Sequence, residues 1–256
     1  MFYFLMKAVL PEAKILKKGI AAISSLISEG TFKVNEEGIS LVAMDPANVA
    51  MVIFELYPSA FLDFNVEEEE HFTINLDDLK KILTKAKLKE TVTLELDKNK
   101  NRFLITFKGK SKRTFALPLI EGQETEQKIP ELDLPIKVEI DAKAIKETID
   151  SAKIISDSVL YMADPDNMKF VIKAEGELRE MKVEFSQDDE SVLSMEIPTK
   201  ARARYSVDYL SKISKAADIS DTVVIRFNNA YPCWMDYKLL DKLKVSFILA
   251  PRAETE

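Results

Sequence analysis

Apolar residues recur at helical spacing in four stretches of the chain, near 12–28, 76–88, 142–154 and 206–217. In the first, Leu16, Ile20, Ile23 and Ile27 share one face of the helical wheel, while Lys14, Lys17, Lys18, Ala21 and Ser25 cover the other. The second sets Leu76, Leu79, Ile82 and Leu83 against Lys81 and Lys85, and the fourth sets Leu210, Ile213 and Ala217 against Lys212 and Lys215. In the third, Lys143, Lys146 and Lys153 share the polar face with Glu147 and Asp150, which dilutes its positive field. Each apolar stripe must be buried, so the pattern predicts helices lying on sheets with lysines outward.

Between the helices the pattern switches to alternating or apolar runs rich in Val, Ile, Phe and Thr, which predict strands. Examples are 31–35, 39–44, 49–56, 91–96, 102–107, 169–174, 181–185, 222–227 and 244–249. The order is a short strand, a helix and then several strands joined by turns such as Asn35-Glu36-Glu37-Gly38; it lacks a crossover helix between successive strands. A mostly antiparallel α+β fold follows.

The order also repeats. FTINLDDLKKILTKAK (72–87) resembles RYSVDYLSKISKAAD (204–218), and AKILKKGIAAISSLISEGTF (13–32) resembles AKAIKETIDSAKIISDSVLY (142–161). The chain is therefore read as two duplicated domains, each built from two strand-helix-antiparallel-strand units. The acidic, proline-ended stretch EGQETEQKIPELDLP (121–135) reads as an extended connector. This places the domains at 1–119 and 136–256, with the connector at 120–135.

The net charge of −7 would by itself repel nucleic acid. Yet the four helical segments, counted over 12–28, 76–89, 141–153 and 205–217, hold thirteen lysines against seven acids, so the negative balance lies outside them. Lysines on helix faces, with few aromatics among them, suit phosphate contact rather than base reading or base stacking. Such binding is expected to be independent of sequence and steeply salt dependent.

The residues for catalysis are sparse. One histidine, His71, follows the acidic run Glu67 to Glu70 and is expected at a solvated loop edge, and the one cysteine, Cys233, has no partner for a disulfide or a thiolate cluster and is expected to be a buried small hydrophobe. The six glycines allow neither phosphate-cradling nor dinucleotide-binding motifs. No cofactor or metal site is expected. Carboxylate-dependent, metal-assisted chemistry at Glu67 to Glu70, or at Asp188, Asp189 and Glu190, stays open as an alternative, although both runs read as solvated loops. No stretch approaches the about 18 apolar residues that cross a bilayer. The start MFYFLMKAVLPEAK is charged too early for a signal peptide, so a cytoplasmic, nucleoid-associated protein without membrane contact is expected.

Five elements in order, ILKK (15–18), GISLVAMDPANV (38–49), IPE (129–131), SKIS-KA (211–216) and LAPRAE (249–254), resemble the proliferating cell nuclear antigen type of sliding clamp, particularly its archaeal members. The likeness spans nearly the whole chain. It implies a DNA clamp fold in which three two-domain subunits close a ring around double-stranded DNA, the helix lysines facing the duplex. It implies no enzymatic activity, but tethering of DNA polymerase, flap nuclease, DNA ligase and clamp loader through short peptide motifs. Those motifs would dock on Met44, Val49 and Met51, on Ile129 and Pro130, and on Pro232, Ile248, Ala250 and Pro251. The subunit interface would join an edge carrying Lys110, Arg113, Phe115 and Leu117 to one carrying Leu178, Met181, Val183 and Phe185 of the next subunit. The trimer would form with itself or with paralogues. The chain departs from the family pattern at Gln127, Glu147 and Ile248.

Overall fold

The computed structural model describes residues 6–121 and 127–253. Residues 1–5, the part of the connector at 122–126, and Glu254 of the terminal LAPRAE element lie outside the described residues.

Four units follow one another. The first is β1 (Met6–Leu10), α1 (Lys14–Ile23), β2 (Glu29–Asn35), β3 (Gly38–Met44), β4 (Ala50–Leu56) and β5 (Asp63–Val66). The second is β6 (Glu70–Asn75), α2 (Leu76–Leu83), β7 (Thr91–Asp97), β8 (Arg102–Lys108) and β9 (Lys112–Pro118). The third is β10 (Ile136–Asp141), α3 (Ala142–Ala152), β11 (Ser158–Asp164), β12 (Lys169–Glu175), β13 (Glu180–Ser186) and β14 (Val192–Glu196). The fourth is β15 (Ala201–Ser206), α4 (Val207–Ile213), β16 (Thr222–Phe227), β17 (Cys233–Leu239) and β18 (Leu243–Leu249). The duplicated α+β architecture expected from the sequence is present.

The helices are shorter than the apolar pattern predicts. Beyond α1 the Ser25 hydroxyl donates to the Ala22 carbonyl at 2.6 Å, and beyond α2 Thr84 Oγ1 donates to the Lys81 carbonyl at 2.6 Å. These local bonds satisfy the last carbonyls without another helical turn. Ser25, Lys85 and Lys153 therefore sit in turns rather than on helices, and Lys215 sits in a 3₁₀ segment, Ser214–Asp218. Helix starts follow local chemistry: Asn75 accepts from the Asp78 amide at 2.9 Å and Asp141 from the Ala144 amide at 2.8 Å.

The chain forms two compact units. The first is drawn from Met1–Met44, Val52–Lys128 and Leu239–Val245, the second from Asp45–Met51, Ile129–Lys238 and Ser246–Glu256. In the first unit one sheet runs β5-β1-β7-β8-β9, and β4-β3-β2-β6 are successive neighbours in the other. Phe72 stacks on Phe103 at 4.8 Å and on Phe32 at 5.5 Å, joining β6 to β8 and β2 through the core. In the second unit β14-β10-β16-β17-β18 and β13-β12-β11-β15 repeat these two arrangements place for place. There Tyr161 meets Phe170 at 5.2 Å and Phe227 at 6.0 Å. Such aromatic clusters bury large apolar areas, and each closes its own core.

Cys233 is fully buried, as expected of a small hydrophobe, and burial pushes its thiol up to about 12. Two expectations need correction. Glu70 is not solvated: it opens β6, is buried, and pairs with Lys98. His71 is likewise in β6 rather than at a loop edge, with Nε2 3.4 Å from Glu69 Oε1. The buried carboxylate carries a pairing cation because an unpaired buried charge is costly.

Candidate functional site

The lysine faces sit differently in each helix. In α1, Ile15, Leu16, Ile20 and Ile23 are buried while Lys14 and Lys17 are exposed. Lys14, Lys17 and Lys18 occupy the first half of this helix, whose first turn holds no acid. Cations there oppose the helix dipole at a cost of a few tenths of a kcal/mol, so helix stability does not account for them. In α2 the order is the favourable one, Asp77 and Asp78 first and Lys80 and Lys81 last. Lys81 pairs with Asp78 at 2.9 Å and keeps 75% of its side chain exposed. Lys85 follows in the turn.

The second unit repeats the arrangement with more acid. Lys146 lies 3.7 Å from Asp150 on α3, and Lys143 and Lys153 flank it, the latter as the C-cap residue. On α4, Lys212 pairs with Asp208 at 2.8 Å and lies 5.3 Å from the Tyr209 ring centroid. Among the described residues, Lys14, Lys17, Lys18, Lys85, Lys143, Lys153 and Lys215 make no salt bridge.

The residues proposed for partner docking divide by burial. Met51 and Ile248 are core residues, 7% and 6% exposed, so within this set the accessible residues of the second unit are Val49, Ile129, Pro130, Pro232, Ala250 and Pro251. Met44 ends β3 in the first unit and is half-buried. Val49 and Ala250 are held together by a bond from the Ala250 amide to the Val49 carbonyl at 2.9 Å. Pro232 follows Tyr231, whose carbonyl accepts from the Tyr205 hydroxyl at 2.7 Å. Ile129 and Pro130 lie in an extended segment that Asn228 anchors through the Asp133 carbonyl at 3.1 Å.

Sequence reasoning left out the residue that organises this surface. Asp45 is buried and accepts from the amides of Ala47, Val49 and Ala50 at 3.1, 2.7 and 2.7 Å, and from the Tyr209 hydroxyl at 2.7 Å. Burial opposes its charge, but these donors outweigh burial and hold the carboxyl below the ordinary aspartate range. The same bond pushes the Tyr209 hydroxyl up to about 12. The readable signal is the Asp-Pro-Ala-Asn turn, where an aspartate side chain caps the following amides.

The two edges named from the resemblance are ends of sheets. Among the described residues β9 pairs with β8 alone and β13 with β12 alone. Their half-buried and buried faces match in kind: Arg113, Phe115 and Leu117 on β9, and Met181, Val183 and Phe185 on β13. Lys110 and Leu178 are not on these strands but in the preceding turns, and Leu178 is 97% exposed. Arg113 turns inward: it donates to the Lys85 carbonyl at 3.1 Å and pairs with Glu90, so its charge is used within the unit.

A duplicated α+β chain with four lysine-bearing helices, and with β9 and β13 as end strands of their sheets, has the DNA clamp fold. Residues 5–124 match the proliferating cell nuclear antigen N-terminal domain, and residues 128–252 its C-terminal domain. The chain is 48% identical to a DNA polymerase sliding clamp of Nanoarchaeum equitans over 97% of its length and all of that protein. It is 41% identical to one of Thermococcus onnurineus over 96% of this chain and 98% of that one. A crystal structure of PCNA from Thermococcus kodakaraensis superposes with a TM-score of 0.90 at 33% identity, over 96% of this chain and 100% of that one. The PCNA2-PCNA3 complex of Sulfolobus tokodaii superposes with 0.88 at 26%, over 97% and 100%. The chain belongs to the proliferating cell nuclear antigen family, the DNA polymerase sliding clamps.

Proposed function

We propose that three copies close a ring around duplex DNA, and that the ring tethers DNA polymerase, flap nuclease, DNA ligase and clamp loader without catalysing a reaction itself. Two clamp domains, 1–119 and 136–256, joined by the connector 120–135, make up each subunit. The helix lysines of both halves contact phosphates irrespective of base sequence. Partners insert short motifs against Val49, Ile129, Pro130, Pro232, Ala250 and Pro251, with Met51 and Ile248 in the core of the same unit. Tethering raises local concentration, which is how such a protein raises processivity.

The observation that carries this reading is the fate of equivalent strands in the repeat. In the two sheet orders β9 and β18 hold the same place, as do β13 and β4. Within the first unit the Leu243–Val245 part of β18 neighbours β4, with the Tyr57 amide bonded to the Lys242 carbonyl at 2.9 Å and Lys244 3.1 Å from Glu55. β9 and β13 are the copies left open, and pairing them between subunits repeats the internal contact head to tail. It also covers edges that would otherwise aggregate. Charge adds a smaller bias: Lys108, Lys110, Lys112 and Arg113 flank one edge, while at the other Glu177, Glu180 and Glu184 outnumber Arg179 and Lys182 by one.

Mass in solution and DNA retention test this reading together. The protein alone is expected at three times its chain mass, retained on closed circular duplex and lost when the circle is cut. A monomer that binds linear and circular DNA equally removes the ring. The Sulfolobus tokodaii complex of two different chains favours one further reading, a ring completed by paralogues. In that case the chain alone stays below a trimer and reaches it only on mixing.

A further inference from the structure

Two turns of the first unit hold seven cations and one acid. The turn after α2 carries Lys85, Lys87, Lys89 and Glu90, and the turn between β8 and β9, with its flanks, carries Lys108, Lys110, Lys112 and Arg113. The turns are neighbours because their strands are: Thr91 of β7 lies beside Lys108 of β8, and Lys108 beside Lys112 of β9. One carboxylate joins them. Glu90 is buried and accepts from the Lys87 amide at 2.7 Å and from Arg113 at 2.5 Å, while Arg113 also donates to the Lys85 carbonyl at 3.1 Å. The fit is close, since a Cβ at Gly109 would stand 2.8 Å from Glu90 Cγ.

Glu90 and Arg113 neutralise each other at the base of the turns, and Lys87 feels the same carboxylate without forming a salt bridge with it. Among the described residues, Lys85, Lys87, Lys89, Lys108, Lys110 and Lys112 are exposed and make no salt bridge. The stretch that follows β1, whose Leu10 lies beside Val92, adds Glu12 and Lys14, one charge of each sign, so the excess stands. Lys89 carries a further sign of purpose. Its φ of 66° lies in the left-handed region, which suits glycine or asparagine and strains a lysine. Turn stability does not account for a lysine there, so the charge itself is what the position supplies.

We propose that these two turns bind the phosphates of duplex DNA, as a site separate from the helix faces. Lys85 extends the row of α2, but Lys87, Lys89, Lys108, Lys110 and Lys112 lie outside every helix. Neighbouring strands are about 4.8 Å apart, so the cations at the ends of β7, β8 and β9 spread over about 10 Å. Duplex DNA offers one phosphate for about every 1.7 Å of its axis, so several fall within that span. An acidic protein segment is the competing partner. It is disfavoured because the one guanidinium that could fork onto a carboxylate is turned inward to Glu90, and because neither turn carries an aromatic side chain to anchor a peptide. The edge of a second copy does not use up the charge either, since Glu177, Glu180 and Glu184 there exceed Arg179 and Lys182 by one. The site lies within one unit, so the inference stands apart from ring closure.

Binding of a labelled short linear duplex, followed from about 50 mM to about 0.5 M salt, tests the proposal on the intact protein. Two variants remove charge in pairs: Lys87→Gln/Lys89→Gly, away from β9 and with a glycine that suits the positive φ, and Lys108→Gln/Lys110→Gln. Each is expected to bind the duplex about three- to tenfold more weakly near about 0.1 M salt, and to flatten the slope of log K against log salt by about one to two. Mass in solution is expected to match the wild type. Unchanged affinity and slope in Lys87→Gln/Lys89→Gly overturn the assignment, as does a wild type without salt-sensitive duplex binding. If the second pair loses mass together with DNA, its loss belongs to subunit pairing and the first pair decides. A first pair that weakens binding of a polyglutamate peptide and leaves the duplex untouched gives the turns to acidic protein and sinks the proposal; a loss seen with single-stranded DNA alone sinks it too. A monomeric wild type that still shows both expected losses removes the ring and leaves this site standing.

Discussion

A single carboxylate holds the loop from Asp45 to Ala50, because its two oxygens take three backbone amides and the Tyr209 hydroxyl. Hydrogen bonds to a charged acceptor are stronger than neutral ones, so Asp45→Asn is expected to lose about 1–3 kcal/mol in urea unfolding near pH 7. The sign with pH follows from the lowered carboxyl. Its contribution is fully present above the unfolded-chain value of about 3.9 and disappears as pH falls through the lower folded value. The stability gap between wild type and Asp45→Asn should therefore narrow below about pH 4. A gap of equal size at pH 7 and at the acid limit would show that shape, not charge, is what Asp45 supplies.

At the scale of elements, α1 bears a glycine in the middle of a helix, which costs about 0.5–1 kcal/mol relative to alanine. Its place is explained by packing. A Cβ at Gly19 would stand 2.7 Å from Phe54 Cε2 and 3.2 Å from Leu243 Cδ2, and both neighbours are buried. Gly19→Ala is expected to lower the thermal midpoint, because overpacking costs about 1–3 kcal/mol and exceeds the helix gain. A midpoint unchanged or raised would mean that the β4–β18 side of this core can yield. The helices themselves were legible from the sequence because a 3.6-residue apolar period survives any tertiary context. Their ends were not: Ser24, Ser25 and Thr84 look like ordinary polar-face residues until their hydroxyls are seen bonded to carbonyls one turn back. Edge strands were legible only through the resemblance, since period-two patterns such as Lys112 to Pro118 do not say which side lacks a partner. A cleft of the second unit lined by Arg202, Arg204 and Arg252 was not legible at all. Arg202 and Arg204 read as alternate residues of a strand, and nothing in the spacing brings Arg252 to them.

Across the whole molecule the decisive quantity is where the charge lies, not its total. A chain at −7 binds a polyanion only if its cations are grouped, and the helices group them in every repeat. Lys14, Lys81 and Lys212 sample three of the four helices. Reversing all three to glutamate places like charges beside Asp78 and Asp208, the present partners of Lys81 and Lys212. That repulsion costs only about 0.2–0.5 kcal/mol per pair on a helix, so the variant is expected to fold and to keep the mass of the wild type. DNA binding should respond much more, because log K falls with log salt by about 0.9 for each phosphate neutralised. The variant is expected to show both weaker retention on circular duplex near about 0.1 M salt and a shallower salt slope, the second being what fewer phosphate contacts must produce. Weaker retention with an unaltered slope would point to a change in ring opening. Retention and slope both unaltered would place the phosphate contacts elsewhere than on these helices.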